Sequence, residues 1–320
     1  MSDLVQVGLV GVGIIAETHL AVLAERAGVS LEFAVDPHLK EPPAFRGSKP
    51  SHYGSLSDAL EAHQPDLVVI ATPTDTHADL AVQALTLSSA QVLVEKPLVR
   101  DLTSLGDLTS LARLRSLDGS ADVRGRVFAA HHFAFSPEVD WAAEEIAEHP
   151  EWGPVTSVTS AFCDPYILRG EQAFASYISS WMDSGVNQLS MLSRFVELTE
   201  LTSGDRQMDG GASSWATFAY RSRDTTGTAR LRSSWLTGSS SKETVLTFGR
   251  SGVEIWIDHT SMTGFATQGT SLLAAHGNDG LTPRKIAHYR PLYESLLSGR
   301  PDPVLSFDTA ATVTELHSAP

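Results

Sequence analysis

Gly11-Val12-Gly13-Ile14-Ile15-Ala16 is the stretch whose reading decides the fold. This G-x-G-x-x-A run stands between an apolar segment, Val5–Val10, and a segment, Ile15–Ala27, with Ile15, Leu20, Leu23 and Ala24 at helical spacing. A strand, a glycine turn and a helix in that order present a phosphate-binding loop. Gly11 permits the tight turn, Gly13 lets the backbone approach a pyrophosphate, and Ala16 allows close packing of helix on strand. The helix N-terminus at Ile14 and Ile15 then faces the phosphates.

Asp36 closes the next apolar segment, Leu31–Val35. A carboxylate there accepts hydrogen bonds from the ribose hydroxyls of an adenosine and repels a 2′-phosphate, so the expected cofactor is NAD. NADP is the alternative, because His38 and Lys40 are basic, and a plain turn aspartate before Pro37 is the bland one. Ala71-Thr72-Pro73-Thr74 ends a further strand, Leu67–Ala71, where open α/β sheets bind ligands; Thr72, Pro73 and His77 join the expected cofactor site.

Around this core the first half alternates strand-like and helix-like runs: Ser57–Ala62 (with Ser57 as N-cap), Thr76–Leu87, Val92–Val94, Leu102–Leu117 and Val127–Ala130. After a helix at Ser136–Ala147 and the break at Trp152-Gly153-Pro154, alternating segments take over: Val155–Phe162, Ser214–Tyr220, Ala229–Trp235, Thr244–Phe248 and Val253–Ile257. A helix at about Ser184–Leu198 interrupts them, and one at about Arg284–Leu297 closes the second domain. The expected fold is α/β, a doubly wound parallel sheet over residues 1–130 followed by an α+β domain on an open, mainly antiparallel sheet over 131–320. Trp256 falls on the second face of that sheet, which suggests a homo-oligomer, dimer or tetramer, through it.

A net charge of −15 argues against a nucleic-acid partner, which needs clustered Lys and Arg. The one cysteine, Cys163, allows no intrachain disulfide, the apolar runs are too short for a membrane span, and the N-terminus carries no secretory pattern. The expected location is therefore the cytoplasm.

Several motifs coincide: Gly11–Ala16 with His19, Ala71-Thr72-Pro73 with His77, Glu95-Lys96-Pro97 after a strand, and Ser306-Phe307-Asp308 and His317-Ser318-Ala319 at the far end. Together they resemble the glucose–fructose oxidoreductase/inositol dehydrogenase (Gfo/Idh/MocA) family. The resemblance implies Glu95 in the cofactor site, Lys96 as catalytic lysine, and a substrate pocket in the second domain. The family's D-x-x-x-H helix motif matches Asp183-Ser184-Gly185-Val186-Asn187, with Asn187 in place of histidine and Ser190 where an aspartate is common. That pattern is similar to the aldose (L-arabinose/D-galactose) 1-dehydrogenase branch, with which Trp181 and His131-His132 agree; Cys163–Gln172, where a sugar would be read, does not match closely.

Oxidation of an alcohol carbon needs a proton acceptor and a donor to the developing oxyanion. Lys96 can donate as an ammonium, or accept if burial lowers its pKa. Asp183 is the carboxylate of the second-domain motif and the candidate base, although an N-cap is its competing role. Asn187, one turn on, can only orient substrate. The expectation is that Lys96 and Asp183 converge on one sugar hydroxyl. His131 and His132, adjacent on a strand, would point apart and so cannot share a metal ion; none is expected. Asp164, with Tyr166, Arg169 and Gln172, is a candidate contact for sugar hydroxyls, or simply a solvated loop. Beside an NAD(P)-dependent aldose dehydrogenase giving a lactone stand two alternatives. One is a dehydrogenase or ketoreductase at a ring carbon of an inositol or nucleotide-sugar. The other is a regulator that senses NAD or sugar without turnover.

Overall fold

The computed structural model describes residues 4–39, 41–100, 102, 105–120 and 125–319; Lys40 and parts of the expected 102–117 helix lie outside them. The chain divides into two compact units, residues 4–131 with 289–318 and residues 132–288. The sequence suggests a single cut at 130; by contacts, Tyr289–Ser318 groups with the first unit.

The first unit holds a parallel six-stranded sheet in the order β3-β2-β1-β4-β5-β6. Its strands are β1 (Val5–Val10), β2 (Val29–Val35), β3 (Ser51–Tyr53), β4 (Leu67–Ile70), β5 (Gln91–Val94) and β6 (Val127–Ala129). The helices between them are α1 (Ile14–Ala24), α2 (Leu56–Ala62), α3 (His77–Leu87) and α4 (Leu105–Asp118). All four side chains of β4 are fully buried, as a continuous Leu-Val-Val-Ile run covered on both faces requires. The expected cap of α2 shifts by two residues: Ser55 accepts the Asp58 N–H at 3.3 Å, and Ser57 lies inside the helix. β3 was not legible, since Ser-His-Tyr carries no apolar run.

The second unit holds an eight-stranded sheet in the order β14-β13-β12-β11-β7-β10-β9-β8, antiparallel except where β7 meets β10. The strands are β7 (Ser157–Cys163), β8 (Glu197–Met208), β9 (Ser213–Ser222), β10 (Thr225–Ser234), β11 (Ser241–Phe248), β12 (Val253–Asp258), β13 (Thr263–Gln268) and β14 (Ser271–His276). Its helices are α5 (Pro137–Glu148), α6 (Glu171–Tyr177) and α7 (Ser180–Leu192). One face, including Phe218, Tyr220, Leu246, Phe248, Ile255 and Ile257, is buried, and α5 and α7 pack on strands of this sheet. On the other, Trp256 stacks on Phe265 of the next strand with centroids 6.1 Å apart, and both rings are about two-fifths exposed (39% and 42%).

The expected helix at Ser184–Leu198 begins and ends earlier. Ser179 caps it by accepting the Met182 N–H, and after Leu192 the chain turns to enter β8. Strands β8, β13 and β14 carry no clear sequence signal because they are mostly polar or exposed; β8 and β14 are the sheet's edges. Two further helices, α8 (Arg284–Leu296) and α9 (Phe307–Ser318), complete the chain, and α9 packs on β6.

Candidate active site

The glycine turn has the geometry its sequence demands. Gly11 sits at φ +85°, and a Cβ built on it would fall 2.6 Å from the Ala71 carbonyl oxygen. At Gly13 a Cβ would meet nothing within 4 Å, so that position opens onto empty space. Gly13 is also the N-cap of α1, and no side chain caps it, which leaves the first-turn N–H groups beside Ile14 and Ile15 available to an anion. Ile14 is 82% exposed at this mouth, whereas Ala16 is buried against the sheet.

The Asp36 carboxylate accepts N–H bonds from Val12 (3.1 Å) and His38 (2.9 Å), which ties the end of β2 to the glycine loop. Partial burial opposes its ionisation, but those two N–H groups, with His38 and His52, outweigh it and hold the carboxyl below the usual range. An open glycine cradle, an uncapped helix start and an ionised carboxylate at the strand end fit the pyrophosphate and ribose of a dinucleotide.

Thr72 and Pro73 follow β4, and Thr76 Oγ1 donates to Thr72 Oγ1 at 2.7 Å. His77 is 1% exposed, and its two ring nitrogens lie 2.8 Å from the Thr72 and Pro97 carbonyl oxygens. It therefore ties together the loops that follow β4 and β5.

Glu95 is buried beside half-buried Lys96. Its Oε1 faces His19 Nε2 at 3.0 Å and accepts the Tyr289 hydroxyl, Oε2 accepts the Lys96 N–H at 3.3 Å, and His19 Nδ1 lies 2.7 Å from the Tyr293 hydroxyl. Burial resists the charge, but His19, Tyr289 and the Lys96 ammonium together hold this carboxyl below its ordinary range. Glu95 thus keeps a fixed negative charge next to Lys96. The Lys96–Pro97 peptide is cis. His131 lies in the same neighbourhood, 2% exposed, with Nδ1 2.9 Å from the Val304 carbonyl. Burial takes its pKa down to about 4, so the ring is neutral and the carbonyl fixes the proton on Nδ1.

In the second unit, capping by Ser179 removes the competing role of Asp183, which stands half-buried in the first turn of α7. The Asn187 amide donates to the Asp183 carbonyl at 3.0 Å, joining the two residues on one helix face. Trp181 is 3% exposed and stacks on Phe218 (centroids 6.2 Å apart); a Cβ on Gly185 would strike its ring at 2.7 Å. Its role here is packing of α7 on the sheet. Asp164 is buried too: Lys242 Nζ and Ser240 Oγ bond to its Oδ1. The solvated-loop reading of Asp164 is thereby overturned. Tyr166 stacks on Tyr177 and lies under the Arg169 guanidinium (4.3 Å); burial, then the charges of Asp183 and Asp164, push its hydroxyl up.

His132 does not sit on a strand. It opens a short 3-10 turn, and its Nδ1 lies 3.1 Å from Nδ1 of His288. Among the described residues no group of three or more His, Cys, Asp or Glu could hold a metal ion, and no helix is long and apolar enough to cross a membrane.

Lys242, Arg284, His288 and the buried Glu138–His259 pair (2.9 Å) escaped the sequence reading. One signal was available. In Ser241-Lys242-Glu243-Thr244, Lys242 shares the inward register of Thr244, Leu246 and Phe248, and a charge at such a position needs a buried partner.

Residues 5–117 match the oxidoreductase family with an NAD-binding Rossmann fold, GFO_IDH_MocA. That match lies within the first unit. The rhizopine catabolism protein MocA of Rhizobium meliloti is 33% identical over 92 residues, 29% of this chain and 29% of that protein. Inositol 2-dehydrogenase of Rhizobium meliloti (strain 1021) is 28% identical over 162 residues, 50% of this chain and 46% of that protein. These matches span less than half the length of either relative. A dehydrogenase from Chromobacterium violaceum shares the fold of the whole chain, with TM-score 0.76, 17% identity, and coverage of 99% of this chain and 95% of that one.

Proposed function

We propose that this Gfo/Idh/MocA chain is an NAD-dependent dehydrogenase of a sugar or polyol, oxidising an aldose at C1 to a lactone. The observation that carries the reading is the glycine cradle closed by Asp36, with Lys96 held beside the buried charge of Glu95. Bound NAD supplies the hydride acceptor. In this reading Lys96 donates to the substrate oxygen as negative charge develops on it. Asp183 accepts the hydroxyl proton, and Asn187 orients the substrate through its amide. His131 offers the lone pair of Nε2 as a further substrate contact, and Asp36 makes NAD rather than NADP the preferred cofactor.

The experiment is NADH formation over a panel of aldoses, ketoses and inositols, run with NAD and with NADP. Oxidation of aldoses to lactones with NAD supports the proposal, and saturable NAD binding without turnover of any member sinks it. Oxidation at a ring carbon is the second reading, favoured by the likeness to inositol 2-dehydrogenase; product analysis separates it from the first. The reading includes a homo-oligomer, dimer or tetramer, through the sheet face that bears Trp256 and Phe265, checked by light scattering of Trp256→Lys. It also places the protein in the cytoplasm, in keeping with its single cysteine.

A further inference from the structure

Arg284 is the first residue of α8, half-buried, with its guanidinium 6.0 Å from the centre of the Phe133 ring. No described residue hydrogen-bonds to it or forms an ion pair with it. Several other arginines of this chain are tied down, Arg46 to carbonyls and Arg115, Arg194 and Arg290 to carboxylates. The first turn of α8 contains no acidic residue, and Lys285 follows, so two cations stand at the positive end of the helix dipole. A chain with 38 acidic and 23 basic residues could readily have supplied a carboxylate there. None of its five guanidinium N–H donors is used by a described residue.

A second observation lies one turn on, on the same helix face. His288 is 1% exposed, its ring meets the Phe133 ring edge-on at 5.0 Å, and its Nε2 is buried without a partner. Burial takes its pKa down to about 3, so this ring carries no charge of its own. Glu138 acts on His288 electrostatically and has an equally partnerless Oε2. Lys242 feels the charges of both Arg284 and Asp183. The Lys242 charge is itself bonded to Asp164, so no carboxylate of that pair is left over for Arg284.

We propose that Arg284, on the face of α8 it shares with His288, binds an anionic group of the substrate, which is therefore an acidic sugar or polyol. The planar guanidinium suits the paired oxygens of a carboxylate or phosphate. This proposal rests on the dehydrogenase reading for the nature of the ligand, not for the existence of the anion site.

The test is titration calorimetry on the full chain saturated with NAD. Its ligands are uronates, aldonates and sugar phosphates, each beside its neutral parent sugar, with NADH formation followed in parallel. At least one acidic sugar is expected to bind roughly ten- to a hundredfold more tightly than its parent, the margin of a charge-assisted hydrogen bond. Arg284→Met removes that margin, and Arg284→Lys, which keeps the charge and serves as a folded control, retains part of it. The preferred class, uronate or aldonate against sugar phosphate, identifies the anionic group. Equal affinity for every neutral parent, no binding of any acidic sugar, or a margin that survives in Arg284→Met would overturn the proposal. Margin-bearing binding without NADH formation would instead remove the dehydrogenase reading and leave the anion site standing.

Discussion

A Cβ placed on Gly11 would lie 2.6 Å from the carbonyl oxygen of Ala71, closer than any side chain can approach. Gly13, two residues on, has φ −86° and open space where its Cβ would be. The two glycines therefore fail differently. Gly11→Ala should cost on the order of 2–4 kcal/mol of stability, through the positive φ and the clash with β4. Gly13→Ala should fold almost unchanged yet weaken NAD binding about tenfold or more, because its methyl occupies the phosphate cradle. Urea unfolding of the apo protein and calorimetric NAD titration distinguish them.

Lys96→Ala and Asp183→Ala should each lower turnover by roughly two to four orders of magnitude while leaving NAD affinity largely intact. Single-turnover kinetics beside NAD titration checks both. A wild-type rate in either variant removes that residue from the chemistry.

Acid should weaken the protein before its carboxylates titrate. His131 is neutral in the fold with a pKa of about 4, against an ordinary 6.5, so the unfolded chain takes up a proton that the folded chain refuses. Stability from this group is intact above about 6.5 and falls until about 4, a loss of about 3 kcal/mol. His288, at about 3, adds a loss of the same sign. Urea midpoints at about pH 7 and about pH 5 should diverge, and His131→Asn should narrow the gap, if its amide keeps the bond to the Val304 carbonyl.

Arg46 clasps the C-terminal end of α1, its guanidinium donating to the carbonyls of Leu23, Ala24, Arg26, Ala27 and Val29. Leu23 and Ala24 end α1 and Val29 opens β2, so the guanidinium ties the helix end to the start of the next strand. Arg46→Ala should cost roughly 1–2 kcal/mol, and Arg46→Lys should recover little because one ammonium cannot span five acceptors. Thermal denaturation reads this directly.

What was legible follows from how local each constraint is. The glycine turn, Asp36 and the Leu67–Ile70 run speak for themselves, since backbone geometry and two-sided burial act on consecutive residues. Ser55 as the cap of α2 and Ser179 as the cap of α7 were misplaced, because several serines precede each helix and only the fold selects one. The companions of Glu95 were out of reach: His19, Tyr289 and Tyr293 are distant in sequence and meet only when the first unit closes. Lys242 and Asp164 were hidden for the same reason. Position 284 looks like any surface arginine until its lack of partners is seen.

The return of residues 289–318 to the first unit has a kinetic consequence on the ribosome. His19 and Glu95 emerge early, yet the tyrosines that satisfy them follow only after residues 132–288 have been synthesised. The nucleotide-binding half therefore cannot mature in the order it is translated. It must hold a polar, incompletely filled interior until the closing helix arrives, and a chain released early in translation would carry that interior exposed to proteases and chaperones.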